Sequence, residues 1–577
     1  MFPPCLKKCL KLFFIALVLA FAPLAAAARD APILKNTERF NPVVAQGGMV
    51  VSENPLASQV GAAVLQQEGN AVDAAVAVGF SLAVTYPQAG NIGGGGFMMV
   101  HKDGETTALD YRETAPAVLE ARHYLDENGE VDTALSRRSH KATGVPGTVA
   151  GLLHALENHG TFSRAAAMAP ALKLAKDGFV VDAHLHSALI RSKERLLQSG
   201  GAREVFYQDD QPLPVGAVLK QPALYNTLKA IAQKGTQAFY NGDIARKLVA
   251  NSQKNDGLLA MADLQNYRVL EREPVWGTYR NHRIAAMPPP SSGGVHIVQI
   301  LNMLKNDDLP SFGHNSAAYL HLLAESMRRA YADRSKHLGD PDFYDVPLAW
   351  LTSQPYANKL RAQIDLQQAT PSELVRPGVK PIPESRETTH FSVLDRWGNG
   401  VSNTYTLNFS FGNGHLVPEL GFLLNNELDD FAIRPGVPNA YGLVGGAANK
   451  VEGGKRPLSS MTPLFMFEGD TLTLAAGSPG GSHIITAVLQ TILNLTAFDF
   501  NLASAVALPR IHHQWLPDVI FAEQGHSPDT ITLLELRGHV VAPTRPIGSV
   551  QAARRLPDGS FSGYSDPRRT GHAVGVQ

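Results

Sequence analysis

Two strand-forming runs, Thr388 to Leu394 and Val401 to Leu407, flank the turn-forming Asp395-Arg396-Trp397-Gly398-Asn399-Gly400, and this unit constrains the fold more than any other stretch. β-Branched and aromatic residues favour an extended, pleated backbone, and the Asp, Gly and Asn between them favour reversal of the chain. The spacing predicts a β-hairpin. Antiparallel pairing about a midpoint near residue 397 sets positions near Thr406 opposite positions near Thr388, with Asn408 just past the same end. Any one threonine in a strand is an ordinary strand former, so the cluster is what points beyond structure.

A threonine hydroxyl is a poor nucleophile at neutral pH unless a base takes its proton. At a chain terminus the residue's own α-amine, which titrates near pH 8, can do so. Thr388 is internal and lacks that amine. Cutting the Glu387–Thr388 bond creates nucleophile and base in one residue, so the segment Glu387-Thr388-Thr389-His390-Phe391-Ser392-Val393 reads as a self-cleavage site followed by the strand that cleavage uncovers.

The first 28 residues differ in kind from the rest: Lys7, Lys8 and Lys11 precede the apolar run Leu12 to Ala22, and the small-residue tract Ala25 to Ala28 follows. This pattern predicts a secretory signal peptide over 1–28, too short in its apolar run for a membrane anchor and interrupted by Pro23. Both cysteines, Cys5 and Cys9, lie in this leader, so a mature chain would hold neither thiol nor disulfide, and export of such a chain points to the periplasm. A net charge of −1 favours neither nucleic acid nor an anionic membrane as partner, and 44% hydrophobic residues supply an ordinary globular core.

Along the chain, Leu56 to Thr85 has helical spacing broken at Gly69-Asn70, predicting two consecutive buried helices. Gly90 to Gly96 precedes a strand and lacks the Gly-Lys-Ser/Thr ending of a phosphate loop, so it reads as close backbone packing. Ala108 to Arg112 reads as a strand, residues 148 to 270 as mostly helical, Met287 to Gly294 as a rigid turn before a helix near Val295, and Ala317 to Ala332 as a further helix. The polar, Pro-rich stretch from Pro341 to Glu387 is expected to be exposed and mobile. Thr471 to Ala476 reads as a strand ending at Gly477-Ser478-Pro479-Gly480-Gly481, with the helical repeat Ile484, Ile485, Val488, Leu489, Ile492, Leu493 beyond it. Those glycines sit at a helix N-terminus, where free backbone N–H groups favour negative charge, as an oxyanion hole requires. Alternating strands and buried helices predict a layered α/β protein.

Thr388-Thr389-His390-Phe391-Ser392-Val393, Gly398-Asn399-Gly400-Val401, Thr404-Tyr405-Thr406-Leu407-Asn408 and Phe411-Gly412 together resemble the signature of γ-glutamyltranspeptidases. The likeness extends to Gly93 to Met98, Asp110-Tyr111-Arg112-Glu113, Thr143 to Gly147, Pro457 to Met461 and Gly477 to Ser482. It implies a four-layer αββα sandwich of the N-terminal nucleophile hydrolase type. It further implies one precursor cut before Thr388 into a large subunit, 29–387, and a small catalytic subunit, 388–577, held together as a heterodimer.

By the same resemblance, Thr388 attacks γ-glutamyl amides such as that of glutathione and passes the acyl group to water or to an amino acid or dipeptide acceptor. Thr406 orients its hydroxyl, and the N–H groups of Gly480 and Gly481 hold the oxyanion. A glutamyl donor carries both a carboxylate and an ammonium. Arg112, Ser459 and Ser460 are implied to hold the first, and Asn408, Glu427 and Asp430 the second. On its residues alone Arg112 reads first as the structural ion-pair partner of a neighbouring Asp, and the resemblance reverses that preference. The family carries either Gln or Glu at the position of Glu427. The loop Arg434 to Gly442 reads as a plain connector, and the resemblance makes it a cover over the pocket with Tyr441 as its wall.

No cofactor and no metal is implied. His512-His513 point to opposite faces of an extended chain and make a poor ligand pair, and His390 reads as a packing group. Two other readings stand beside the first: a cephalosporin (glutaryl) acylase of the same lineage, for which Asp430 would be idle, and a non-catalytic periplasmic binding protein for γ-glutamyl peptides.

Overall fold

The hairpin forms as its sequence predicts. Thr389–Asp395 pairs antiparallel with Gly400–Thr406, Thr389 facing Tyr405, so the register continued by one residue sets Thr388 opposite Thr406. Asp395 closes the turn: Oδ1 accepts the N–H groups of Trp397 and Asn399 at 2.9 Å each, and Gly398 takes φ +93°, a conformation glycine adopts without strain. The other oxygen of Asp395 accepts the N–H of Ala71 at 2.9 Å, so the turn also caps the helix Ala71–Thr85.

This computed structural model describes residues 40–375, 388–434 and 446–577. The leader, Glu387 and Tyr441 lie outside the described residues.

The hairpin occupies the middle of a seven-stranded antiparallel sheet whose spatial order is His572–Val576, Gly48–Ser52, Thr389–Asp395, Gly400–Thr406, Gly95–Lys102, Glu105–Tyr111 and Leu270–Arg272. A second antiparallel sheet runs Val43–Ala45, Phe561–Ser565, Gln551–Arg555, Thr471–Gly477, Leu464–Glu468, His282–Ala286 and Val275–Tyr279. The two pack face to face through the hairpin, which touches Thr471–Gly477 and Gln551–Arg555. Phe391, Val393, Val401 and Tyr405 turn the other way, into a core closed by the helices Pro55–Gln66, Ala71–Thr85 and Thr148–His159. The helices Gly293–Leu304, Ala317–His337 and His483–Thr496 close the far side of the second sheet. Helix, sheet, sheet and helix give the αββα order. Both faces of the hairpin are covered, which is why its two runs lack a clean polar alternation.

Small residues at the sheet ends permit this closeness. A Cβ built on Gly94 would lie 2.0 Å from the carbonyl oxygen of Thr406, and one on Gly93 would lie 2.1 Å from that of Leu423. The glycine run is thus close backbone packing against the strand end that carries Thr406. The two early helices form with the break where expected: Asn70 caps Ala71–Thr85 with its side chain accepting from Val72 and Asp73.

One expectation fails. Residues 341–375 are not uniformly exposed: Leu348–Leu351 and Gln354–Arg361 are helical, and Leu351, Ala357 and Ser372 are buried. The N–H of Ser372 donates to Asp518 at 2.7 Å and its carbonyl accepts from the Trp515 indole at 2.9 Å, so tertiary anchoring supplies the order that a polar, proline-rich sequence conceals. The rest of that stretch, 376–387, lies outside the described residues.

Candidate active site

Nine of the ten described residues singled out from the sequence line one cavity: Thr388, Thr406, Asn408, Arg112, Glu427, Asp430, Ser459, Ser460 and Gly481. Gly480 sits beside it, at φ +133°, followed by Gly481 at φ +58°, and together they turn the end of Thr471–Gly477 into the helix His483–Thr496. The hairpin delivers the first pair. Side chains at 388, 390 and 392 share the face turned to the second sheet, as do 402, 404 and 406 across from them. Ser392 and Ser402 donate to the carbonyls of Gln551 and Ala476 at 3.0 Å each, which fixes the spacing between the sheets just below the cavity. Thr388 is 5% exposed, and its carbonyl accepts from Arg569 Nη1 at 3.3 Å. Thr406 Oγ1 accepts the Asn408 N–H at 2.9 Å.

The charged wall is built from four distant segments. Arg112 follows the strand Glu105–Tyr111 and is fully buried. Its guanidinium donates from Nη1 to Glu427, from Nη2 to Asp430 at 2.5 Å, and from Nε to the Pro457 carbonyl at 3.2 Å. Asp110 does not take that guanidinium: its carboxylate is held by Arg272 at 2.8 Å and Arg456 at 3.3 Å. The structural ion pair open on the residues alone is therefore made by other arginines. Glu427 and Asp430 stand on one short 3-10 turn, Glu427–Asp430, and Asn408 Nδ2 ties itself to the carbonyl of Asn426 just before it at 2.9 Å.

Burial sets the proton affinities here. It opposes the charge on Arg112, but Glu427, Asp430 and Glu113 outweigh it and hold the guanidinium ionised. Burial lifts the carboxyls too, against the pull of Arg112: Asp430 to about 6, Glu113 to about 7, and Glu427 upward. Two of these carboxyls, Glu427 and Asp430, line the cavity together with the cations Arg112 and Arg334, so charges of both signs face the space in front of Thr388.

Several residues in or behind this wall escaped the sequence reading. Arg334, on the helix Ala317–His337, lines the cavity and donates to Ser292 at 3.0 Å and Ser460 at 3.2 Å. The turn before Gly293–Leu304 supports the same loop, since Ser292 donates twice to the Ser459 carbonyl, at 2.8 and 2.9 Å. Asn425 donates to the carbonyls of Gly93 and Gly144 at 2.8 and 2.9 Å, joining the glycine run and the Thr143–Gly147 motif to the acidic turn. Glu113 is fully buried with Oε2 3.9 Å from Arg112 Nη1. Arg334 carried no signal of this in the sequence, since it stands with Asp333, Lys336 and His337 in the charged last turn of its helix.

His390 lies between the sheets, hydrogen-bonded to Thr404 Oγ1 at 2.8 Å and Ser392 Oγ at 3.0 Å, and burial alone lowers its pKa to about 3. It stays neutral and structural. Unfolded, a histidine charges below about pH 6.5 while His390 in the folded chain does not, so its share of stability is present above 6.5 and is lost as pH falls toward 3. The loss runs at about 1.4 kcal/mol per pH unit. His390→Gln, which cannot titrate, is expected to narrow its stability gap to wild type by roughly 2–3 kcal/mol between pH 7 and 4.5 in urea unfolding. A gap independent of pH would contradict this account.

His512 and His513 point to different partners as expected. The first bonds Thr486 at 3.0 Å and Gln514 at 2.9 Å, and the second bonds Asp518 and Arg328 at 3.2 Å each. Among the described residues no group of His, Cys, Asp or Glu is arranged to hold a metal ion, and no helix is long and apolar enough to cross a membrane.

A threonine at the head of a central strand, inside an αββα sandwich and facing a glycine turn at a helix N-terminus, defines an N-terminal nucleophile hydrolase. The sequence profile of the Gamma-glutamyltranspeptidase family matches residues 57–576, and the chain belongs to that family. It is 49% identical to the glutathione hydrolase proenzyme of Escherichia coli (strain K12), over 94% of this chain and 95% of that protein. Among solved structures, cephalosporin acylase from Bacillus halodurans superposes with a TM-score of 0.82 at 26% identity, covering 95% of this chain and 99% of that one. A chain of Helicobacter pylori γ-glutamyltranspeptidase superposes with a TM-score of 0.56 at 40% identity, covering 59% of this chain and 97% of that one.

Proposed function

We propose that this chain is a γ-glutamyl hydrolase and transferase acting on glutathione and related γ-glutamyl compounds, made as a precursor that cuts itself between Glu387 and Thr388. The placement of Thr388 and Thr406 in one cavity with Arg112, Glu427 and Asp430 carries this reading. Residues 1–28 are a signal peptide removed on export to the periplasm, and 29–387 and 388–577 remain together as large and small subunits. In the precursor, Thr388 Oγ attacks the carbonyl carbon of Glu387. The acyl group moves from nitrogen to oxygen, and water hydrolyses the ester, leaving a carboxylate on Glu387 and a free α-amine on Thr388.

In the mature enzyme that amine takes the hydroxyl proton as Oγ attacks the donor's γ-carbonyl. Gly480 and Gly481 N–H groups stabilise the oxyanion, the C–N bond breaks, and the proton passes to the departing amine. Water or an acceptor amine then attacks the γ-glutamyl ester and frees Thr388. Arg112, Ser459 and Ser460 hold the donor's carboxylate, while Asn408, Glu427 and Asp430 hold its ammonium. The last two exchange Arg112 for the ammonium as the donor's carboxylate takes their place on the guanidinium.

The rival reading, a glutaryl acylase, draws on the superposition with cephalosporin acylase. It leaves Glu427 and Asp430 without an ammonium to replace Arg112 once a substrate carboxylate takes the guanidinium. Intact mass of the secreted protein and turnover of paired anilides separate the two. A small subunit beginning at Thr388 and at least ~10²-fold preference for γ-glutamyl over glutaryl anilide are expected, because a site built around an ammonium leaves polar groups unpaired without it. Preference for the glutaryl compound would overturn the assignment.

A further inference from the structure

Glu53 follows the strand Gly48–Ser52, which neighbours the strand headed by Thr388. It is fully buried, and no step above uses it. Its Oε2 accepts from the Tyr86 hydroxyl at 3.4 Å, and that hydroxyl accepts from Arg569 Nη1 at 3.3 Å. The same Nη1 donates to the carbonyl of Thr388 at 3.3 Å. On its other side, Oε1 accepts from Gln551 Nε2 at 2.9 Å. Gln551 Nε2 also reaches Ser549, at 3.2 Å to both its carbonyl and its hydroxyl oxygen. The Ser549 N–H donates to Ser478 Oγ at 2.8 Å, two residues before Gly480.

One carboxyl thus stands between two parts whose separation decides whether a nucleophile and an oxyanion site can meet at the same carbon. The need for such a strut follows from the cut. An internal threonine is held from both sides, whereas a terminal one has lost the bond on its amino side, and the ladder pairs begin only at Thr389. The carbonyl of Thr388 becomes its remaining backbone handle ahead of the strand. Burial lifts the Glu53 carboxyl to about 7, while Arg569 and bonds from Ser549 and Gln551 act the other way.

We infer that Glu53 is a positioning residue for Thr388, setting the nucleophile through Tyr86 and Arg569 and the Gly480–Gly481 turn through Gln551, Ser549 and Ser478. The inference rests on Thr388 being the nucleophile. Glu53→Gln keeps size and shape, but its amide can present N–H where Tyr86 needs an acceptor, reversing the order of donors along the chain to Thr388. Tyr86→Phe removes the linking oxygen alone.

The test uses the full secreted protein, with active sites counted by a covalent γ-glutamyl-site label so that only processed enzyme is scored. Each single variant is expected to self-cleave more slowly and to lose roughly 10- to 100-fold in kcat for a γ-glutamyl anilide, because a small misplacement of a reacting group costs on that order. KM should stay within about twofold, since the donor's charged groups bind elsewhere, and the double variant should be no worse than the poorer single one, as members of one chain are not additive. A kcat per labelled site equal to wild type, a matching rise in KM, or additive losses would overturn the inference. Should Glu53→Gln fail to fold, Tyr86→Phe alone decides, by the same split of kcat from KM. Failure of the Thr388 assignment itself would appear separately, as an active Thr388→Ala enzyme.

Discussion

Thr388→Ala is expected to accumulate as one unbroken chain with γ-glutamyl turnover reduced on the order of 10⁴-fold or more, because the substitution removes the oxygen on which both the cut and the acyl transfer depend. The fold should survive it. Thr388 is buried but sits at the strand head, before the first ladder pair, and alanine keeps its backbone carbonyl available to Arg569. Thr388→Ser retains a hydroxyl and should still cleave and turn over at reduced rate, since it lacks the methyl group that fixes χ1. A denaturing gel and anilide assay on both variants suffice. Two chains, or wild-type turnover, from Thr388→Ala would remove the basis of the mechanism.

Arg112→Gln carries the second large effect, and it acts on stability and activity together. Arg112 is buried with Glu427 and Asp430 on its two terminal nitrogens and Glu113 3.9 Å away. Removing one member of a buried ion pair costs about 3–5 kcal/mol, because the partner is left charged and unsolvated. In the proposed binding mode the donor's carboxylate loses its bidentate partner as well, so kcat/KM should fall by roughly 10³-fold, mostly through KM. Arg112→Lys should not rescue it, since a point ammonium cannot reach both acids and the Pro457 carbonyl at once.

The pH dependence gives a second check on that cluster. Asp430 and Glu113 have folded pKa values raised to about 6 and about 7, so their contribution to stability is fully present below the unfolded carboxyl range and is lost as pH rises through those values. Without Arg112 the strongest pull that lowers them is gone, and the loss extends to higher pH. Arg112→Gln should therefore trail wild type by less at pH 5 than at pH 8 in thermal unfolding. An equal deficit at both would mean that the acids are not paired through Arg112.

The hairpin could be read from local sequence because its information is local. Strand preference, turn residues and the count between them fix the register, and register alone sets Thr406 across from Thr388. The helix pairs, the glycine run and the strand-to-helix turn at Gly477–Gly481 yielded to the same reasoning. Arg112, Glu427 and Ser459 did not. Their meeting joins segments over 300 residues apart, and no period in the chain encodes it, so family resemblance had to supply what spacing could not. Arg334, Asn425, Glu113 and Glu53 went unread for a related reason: each looks like an ordinary polar residue until its burial is known. The order near Ser372 was hidden likewise, because its partners, Asp518 and Trp515, lie about 145 positions away.

The linear order of residues determined on its own where a nucleophile could be made, because that depends on one bond, one side chain and the strand behind it. What surrounds the nucleophile belongs to the packed sheets. Only their packing brings Arg112, Arg334, Glu427 and Asp430 from a strand end, a helix and a turn into one cavity. There, out of water, charges that would be nearly indifferent on a surface act strongly on one another.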